Sequence, residues 1–183
     1  MKKIILGIDP GSNILGYSFL QTDKDKPRLV SMGVLDMRKF EDQSEKLKFI
    51  FEELQKLIQF YEPTEAAIEA PFFGKDAQAM LKLGRAQGAA MTAVSCKGLS
   101  IVEYSPRSVK KSCTGNGAAS KEQVAAMLPH IVIGEFHHKF LDATDSVAVA
   151  YCHYIQSTSV LGKKGKKYSG WGDFIKDNPD KLK

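Results

Sequence analysis

The stretch IILGIDPGSNILGYSFL, residues 4–20, places a single acid between two apolar runs. The first run ends at Asp9, and Pro10-Gly11 then marks a turn before the chain becomes apolar again. A carboxylate at the end of a buried strand needs a partner, because burying an unpaired charge costs free energy. Asp9 is therefore either a residue that caps the turn or the first ligand of a functional site.

The rest of the chain predicts a mixed sheet flanked by helices. Strands at 3–9, 14–21 and 28–36 favour an antiparallel meander. Strands then alternate with helices, which adds parallel strands and gives an α/β fold with helices on the sheet faces. The later predicted segments are a helix at 42–61, a strand at 65–69, a helix at 75–95, a strand at 99–104, a short helix from Ser105, a helix capped by Ser120 and Gln123, and a last helix from near Asp142.

Composition is that of a globular protein, with 183 residues of which 43% are hydrophobic and 26% charged. We expect one domain over residues 1–157 and a basic, flexible tail over 158–183. That tail carries most of the net charge of +5, so the overall charge alone does not predict nucleic-acid binding. Three widely spaced cysteines, no signal-peptide pattern and no apolar run of ~20 residues favour a cytoplasmic protein with free thiols.

Asp9 is one of four carboxylates at the ends of predominantly apolar elements. Glu69 ends a short strand, and Asp142 and Asp145 stand three apart at the start of the last helix, which places them on one helix face. Asp142 could also be an N-cap and Asp145 an acid that the helix dipole favours. If the fold gathers the four acids, their mutual repulsion requires a cation, and Mg²⁺ prefers such hard oxygen ligands.

Four segments, in order along the chain, carry a resemblance to a known family. They are GIDPGSNILGY (7–17), AAIEAPFFGKDAQAMLKLGRAQGAA (66–90), YSPRSVKKSCTGNGAASKEQV (104–124) and LDATDSVAVAYCH (141–153). Over residues 3–157 the chain resembles the RuvC family of Holliday-junction resolvases, the crossover junction endodeoxyribonucleases. The resemblance implies an RNase H-like fold with a five-stranded mixed sheet.

The resemblance also implies an activity. Members of the family resolve four-way DNA junctions by paired symmetric nicks, which leave 5′-phosphate and 3′-hydroxyl ends, in recombination and DNA repair. Asp9, Glu69, Asp142 and Asp145 match the four acids that bind two Mg²⁺ ions, for which Mn²⁺ can substitute, and direct a water onto the phosphate. A homodimer and the branch-migration complex RuvA-RuvB are the implied partners.

A set of DNA-binding residues follows from the same resemblance. Phe72 matches an aromatic residue placed against the bases at the junction centre, although Phe72 could instead pack in the core, and Phe73 beside it could take either part. Lys110 and Lys121 match residues set against the phosphates. With Arg107 and Lys111, these two lysines flank the glycine-rich loop at 114–119, and such a basic loop can follow a DNA backbone.

Three other functions compete with this one. The GIDPGSN segment is similar to a phosphate loop of actin-like ATPases, but those enzymes close two domains over the nucleotide and this chain has room for one. A non-catalytic junction-binding relative is disfavoured because all four acids are in place. Another RNase H-like nuclease, for example one that trims ribosomal RNA, is disfavoured by Phe72 and the basic segment 107–121.

Overall fold

The computed structural model describes residues 3–22, 26–71, 76–136 and 141–158. Five strands and five helices follow one another in the order β-β-β-α-β-α-β-α-α-α. Their bounds are β1 Ile4–Asp9, β2 Ile14–Gln21, β3 Arg28–Asp36, α1 Gln43–Tyr61, β4 Glu65–Glu69, α2 Ala77–Ser95, β5 Ile101–Tyr104, α3 Pro106–Thr114, α4 Lys121–Ile131 and α5 Leu141–Thr158.

The five strands form one mixed sheet in the order β3-β2-β1-β4-β5. β1 pairs antiparallel with β2, and β2 pairs antiparallel with β3. β4 pairs parallel with both β1 and β5. The antiparallel meander and the added parallel strands are confirmed, and this is the RNase H-like arrangement that the resemblance implied.

Alternating side chains of the strands build a core on each face of the sheet. On one face, Leu6, Ile8 and Phe19 pack with apolar residues of α1 and α2. On the other, Ile5 and Leu20 pack with α3, α4 and α5. β1 is buried on both faces because it lies in the middle of the sheet, which explains why its sequence is a nearly unbroken apolar run.

Local sequence signals set most helix ends. Asp42 accepts hydrogen bonds from the backbone N–H groups of Ser44 and Glu45 at the start of α1. Ser120 and Gln123 form the expected capping box at the start of α4. α2 begins two residues later than predicted because Asp76 caps it, accepting from the N–H groups of the second and third residues that follow.

Two other predicted bounds were wrong by one or two residues. β5 begins at Ile101 and not at 99, since its pairing with β4 begins where Ala66 aligns with Ile101. α5 continues to Thr158, one residue into the predicted tail, and the Thr158 hydroxyl donates to the Tyr154 carbonyl. The remainder of the tail, residues 159–183, lies outside the described residues. Within the described ranges, no helix has the length and apolar character needed to cross a bilayer.

Candidate active site

Parallel pairing of β1 and β4 brings the first two acids together. Asp9 is the last residue of β1 and Glu69 the last residue of β4. The register aligns Ile8 with Ile68, so the residue that follows each of them lies at the same edge of the sheet. The two carboxyl groups are in hydrogen-bonding contact, although 60 positions separate them along the chain.

The first turns of α5 bring the other two acids to this edge. Asp142 is the second residue of the helix and Asp145 lies one turn further on. Asp142 is thus inside the first turn and is not the N-cap, which was its alternative role. Both acids line a pocket of about 540 Å³ together with Asp9 and Glu69. The structure therefore gathers in one cavity all four acids that the sequence scatters over the chain.

Burial and mutual repulsion disfavour the ionised forms of Asp9 and Glu69 in the absence of a cation. Asp9 is 7% exposed, and its pKa is raised well above its usual value by burial and by the charges of Glu69 and Asp145. Burial also raises the pKa of Glu69, although its hydrogen bond with Asp9 acts in the opposite direction. Burial and repulsion therefore disfavour simultaneous ionisation of both carboxyl groups when no cation is near.

Lys121 supplies a positive charge inside the same pocket. Its Nζ forms an ion pair with Oδ2 of Asp145, whose side chain is 15% exposed. Burial alone would lower the pKa of Lys121, but the hydrogen bond to Asp145 and the charges of Asp9 and Asp142 outweigh burial and raise it. Burial raises the pKa of Asp145 in spite of this partner. The ammonium group thus partly neutralises the acidic cluster.

The donor set fits a divalent metal, although the side chains are not already arranged around one. Four carboxylates are the hard oxygen ligands that Mg²⁺ prefers, and a cation among them would oppose the burial and repulsion that raise the pKa values of Asp9, Glu69 and Asp145. Among the described residues, no three acidic, histidine or cysteine side chains yet converge as ligands of one ion. Two of the acids have other partners in this structure, since Asp145 is paired with Lys121 and Glu69 contacts Asp9.

The predicted DNA-binding residues divide into three groups. Arg107 and Lys110 of α3 line the pocket with Lys121 of α4, so these three surround the acids. Lys111 is exposed and is not among the residues that line the pocket. Phe72 lies outside the described residues, so its predicted contact with bases remains a prediction.

Sequence reasoning missed Gln87, a polar side chain of α2 that also lines the pocket. It is 6% exposed, and its Nε2 donates to Oε2 of Glu103 at 3.1 Å. Because a carboxylate only accepts, this contact fixes the orientation of the amide. The signal was available, since Gln87 occupies the apolar stripe that Ala90 and Val94 continue at helical spacing.

Comparisons with known proteins identify similar sequences over nearly the whole chain. A family model described as crossover junction endodeoxyribonuclease RuvC matches residues 5–153. A protein of that name from Bacteroides fragilis is 50% identical over all of this chain and 97% of its own length. Another from Cytophaga hutchinsonii is 50% identical over 99% of this chain and 88% of its own length.

Comparison with solved structures also identifies RuvC as similar to this chain. The chain is 28% identical to T. thermophilus RuvC in complex with a Holliday junction substrate, with a TM-score of 0.78 over 85% of this chain and 94% of that one. The yeast mitochondrial Holliday junction resolvase Ydc2 shares the fold, with 17% identity and a TM-score of 0.63. The family model, the full-length relatives and the shared fold establish that this chain belongs to the RuvC family of crossover junction endodeoxyribonucleases.

Proposed function

We propose that the protein is a structure-selective endonuclease that resolves four-way DNA junctions by paired symmetric nicks, in recombination and DNA repair. The observation that carries the proposal is the convergence of Asp9, Glu69, Asp142 and Asp145 on one pocket. Family membership supports it, since the named relatives are crossover junction endodeoxyribonucleases and one solved relative is in complex with a Holliday junction substrate.

The four acids are the proposed ligands of two Mg²⁺ ions, for which Mn²⁺ can substitute. Ions of this kind supply positive charge that stabilises the developing negative charge on a phosphate, and they make a water more nucleophilic at neutral pH. Asp9 and Glu69 extend from the ends of strands that are held by the sheet, whereas Asp142 and Asp145 extend from a helix packed on it. Rigid elements on both sides suit ligands that need a fixed geometry.

Basic residues of the pocket wall are the proposed partners of the DNA backbone. Arg107 and Lys110 extend from α3 beside the acids and would hold phosphates that flank the cut. Lys121 has a further task, because its ammonium group is already paired with Asp145. Binding of cations and of a phosphate would release Lys121 from Asp145 and allow it to contact the DNA. The nicks would leave 5′-phosphate and 3′-hydroxyl ends.

Two subunits are needed to cut two strands symmetrically, so we propose a homodimer. The exposed face of α2 is the proposed contact. Gly84 and Gly88 lie on that face four residues apart, and a side chain added at either would meet no atom within 4 Å. Leu81 of the same face is 56% exposed. The branch-migration complex RuvA-RuvB is the proposed cellular partner, on the family resemblance.

A synthetic four-way junction tests the function. Each strand is labelled in turn, and the products in Mg²⁺ are compared with those from a linear duplex and from an RNA–DNA hybrid. We expect nicks at matching positions in two opposed strands of the junction alone, which DNA ligase then reseals. Equal cutting of the hybrid or the duplex would instead indicate another nuclease of this fold. Junction binding without cutting would indicate a non-catalytic relative.

A further inference from the structure

Two glycines of the sheet lie directly beneath the helix that carries two of the acids. Gly7 is two residues before Asp9 on β1, and Gly16 is paired with Asp9 across the antiparallel ladder to β2. Both therefore face the same side of the sheet as Asp9, since alternate residues of a strand share a face and paired residues point the same way. That side is covered by α5.

The backbone of α5 touches the sheet at these glycines. A Cβ atom built on Gly16 would meet the carbonyl oxygen of Asp142, with the carbonyl carbon at 2.5 Å and the nitrogen of Ala143 at 3.3 Å. A Cβ atom on Gly7 would meet the carbonyl oxygen of Ser146, with Cβ of Ala150 at 2.8 Å and its nitrogen at 2.9 Å. Real Cβ atoms essentially never lie within 3.0 Å of such neighbours.

These close approaches lie at regular steps along α5. Asp142, Ser146 and Ala150 are four residues apart, so they form one stripe of the helix, and that stripe rests on the two glycines. The first contact is made by the backbone of Asp142 itself. Any group inserted at Gly16 would therefore move a proposed metal ligand together with its own peptide unit.

The structure assigns to Gly7 and Gly16 the role of positioning residues that set the distance between Asp9 and the acids of α5. The assignment rests on the proposed function, because it concerns metal binding by those acids. At position 16, glycine makes room for the backbone of α5 because it has no side chain. A displacement on the order of 1 Å in one ligand matters, because Mg²⁺ demands near-ideal geometry and misplacements of that size can cost ~10²-fold in rate.

Gly16→Ala is the direct test, with Gly33→Ala as its matched control. Gly33 is a glycine of the same sheet, but the nearest atoms to a Cβ there belong to the end of the Tyr17 side chain and not to α5. Binding of Mn²⁺ is measured by calorimetry on the whole protein without DNA, and cleavage is measured over a range of Mg²⁺ concentrations. Junction binding in EDTA and thermal unfolding are measured alongside.

We expect Gly16→Ala to weaken Mn²⁺ binding about tenfold and to lower the cleavage rate on the order of 10²-fold, with junction binding within twofold of wild type. Gly33→Ala should match wild type in all four measurements. A Gly16→Ala protein that binds Mn²⁺ as wild type does would overturn the assignment. If wild type itself binds no Mn²⁺ at the acids, the proposed function fails instead, so the two failures are distinguishable.

Gly7→Ala distinguishes an effect on the spacing of the acids from an effect on stability, and it can be used if Gly16→Ala does not fold. The added methyl group would displace α5 at Ser146, which lies one helical turn further along the helix than Asp142. Its cost in stability should therefore resemble that of Gly16→Ala, whereas its effect on Mn²⁺ binding should be smaller, about threefold. A Gly7→Ala protein that is destabilised but binds Mn²⁺ with unchanged affinity would mean that the glycines only pack the core, which would contradict the assignment.

Discussion

Asp9 combines deep burial with acidic neighbours, so its contribution to the stability of the metal-free protein depends on pH. Because its pKa in the folded protein lies above the ordinary value of 3.8, the folded state holds a proton that the unfolded chain has released. The resulting contribution to the stability of the folded protein is fully present below pH 3.8 and is lost as pH rises through the pKa that Asp9 has in the folded protein. Asparagine has the same shape and does not ionise.

Asp9→Asn should therefore lower the cleavage rate and raise the thermal stability of the metal-free protein. We expect cleavage in Mg²⁺ to fall on the order of 10³-fold or more, since a metal ligand is lost. In EDTA the variant should melt above wild type at pH 7, and the difference should shrink as pH approaches 4. Melting curves from pH 4 to pH 8 and junction binding by gel shift complete the measurement. Wild-type cleavage by Asp9→Asn would exclude Asp9 as a ligand.

Lys121 is predicted to contribute to DNA binding after it leaves Asp145. Lys121→Met should weaken junction binding and reduce the slope of log K against log salt by about 0.9, the value for one phosphate contact. Lys56→Met is the control, because Lys56 is 70% exposed on α1 and pairs there with Glu53. Binding is measured at several salt concentrations with Ca²⁺ present, a hard cation that carboxylates can hold, so that Lys121 is able to leave Asp145. An unchanged slope for Lys121→Met would remove this residue from the phosphate surface.

At the scale of elements, a chain of polar groups ties β4 and β5 to α5. Nε2 of His153 contacts Oε2 of Glu65 at 3.1 Å, and its Nδ1 contacts the Tyr104 hydroxyl at 2.9 Å. Because the carboxylate only accepts, Nε2 donates and Nδ1 accepts from the tyrosine. Lys3 pairs with the other oxygen of Glu65. The cluster therefore joins the N-terminal segment, two strands and the helix that carries Asp142.

Glu65→Gln tests this cluster through its pH dependence. Burial alone would raise the pKa of Glu65, but hydrogen bonds from Lys3 and His153 outweigh burial and lower it. A lowered folded pKa stabilises the protein above the ordinary value of 4.5, and this contribution is lost as pH falls. The variant should lose about 1–2 kcal/mol at pH 7 and almost nothing at pH 3.

The matched control for that loss is Glu53→Gln on α1. Glu53 pairs with Lys56 within one helix at the surface, so its removal should cost below about 0.5 kcal/mol. Urea denaturation at pH 7 and pH 3 measures both variants. Equal losses for Glu65→Gln at the two pH values would mean that the cluster acts by packing and not by charge.

The sequence predicted the individual helices and strands better than it predicted which residues of distant elements contact one another. Asp42 and Ser120 act within a few residues of themselves, so their caps follow from local pattern. The contact of Asp9 with Glu69 depends on parallel pairing between distant strands, which no local pattern reveals, and the family resemblance supplied it. The role of Gly16 was not apparent from the sequence, because the helix that lies on it begins more than 120 residues later.

At the scale of the whole molecule, the open face of α2 predicts where a second copy binds. Among the described residues, a Cβ added at Gly84 or Gly88 has no atom within 4 Å outside the adjoining backbone of α2, so a side chain there would start in open space. Glycine inside an exposed helix also costs up to ~1 kcal/mol relative to good helix formers. Two glycines at such positions are consistent with close approach of a partner.

Gly88→Gln should consequently stabilise the subunit and weaken the dimer. We expect sedimentation at micromolar concentration to show a dimer for wild type and a dissociation constant at least about tenfold higher for the variant, which is a loss of about 1.4 kcal/mol. Lys48→Gln, an exposed change on α1, should leave the dimer intact. If each subunit of the proposed dimer nicks one strand, the variant should convert paired nicks into single nicks at limiting protein concentration. A wild-type protein that sediments only as a monomer would contradict the paired-nick mechanism, and a fully dimeric Gly88→Gln would move the contact to another face.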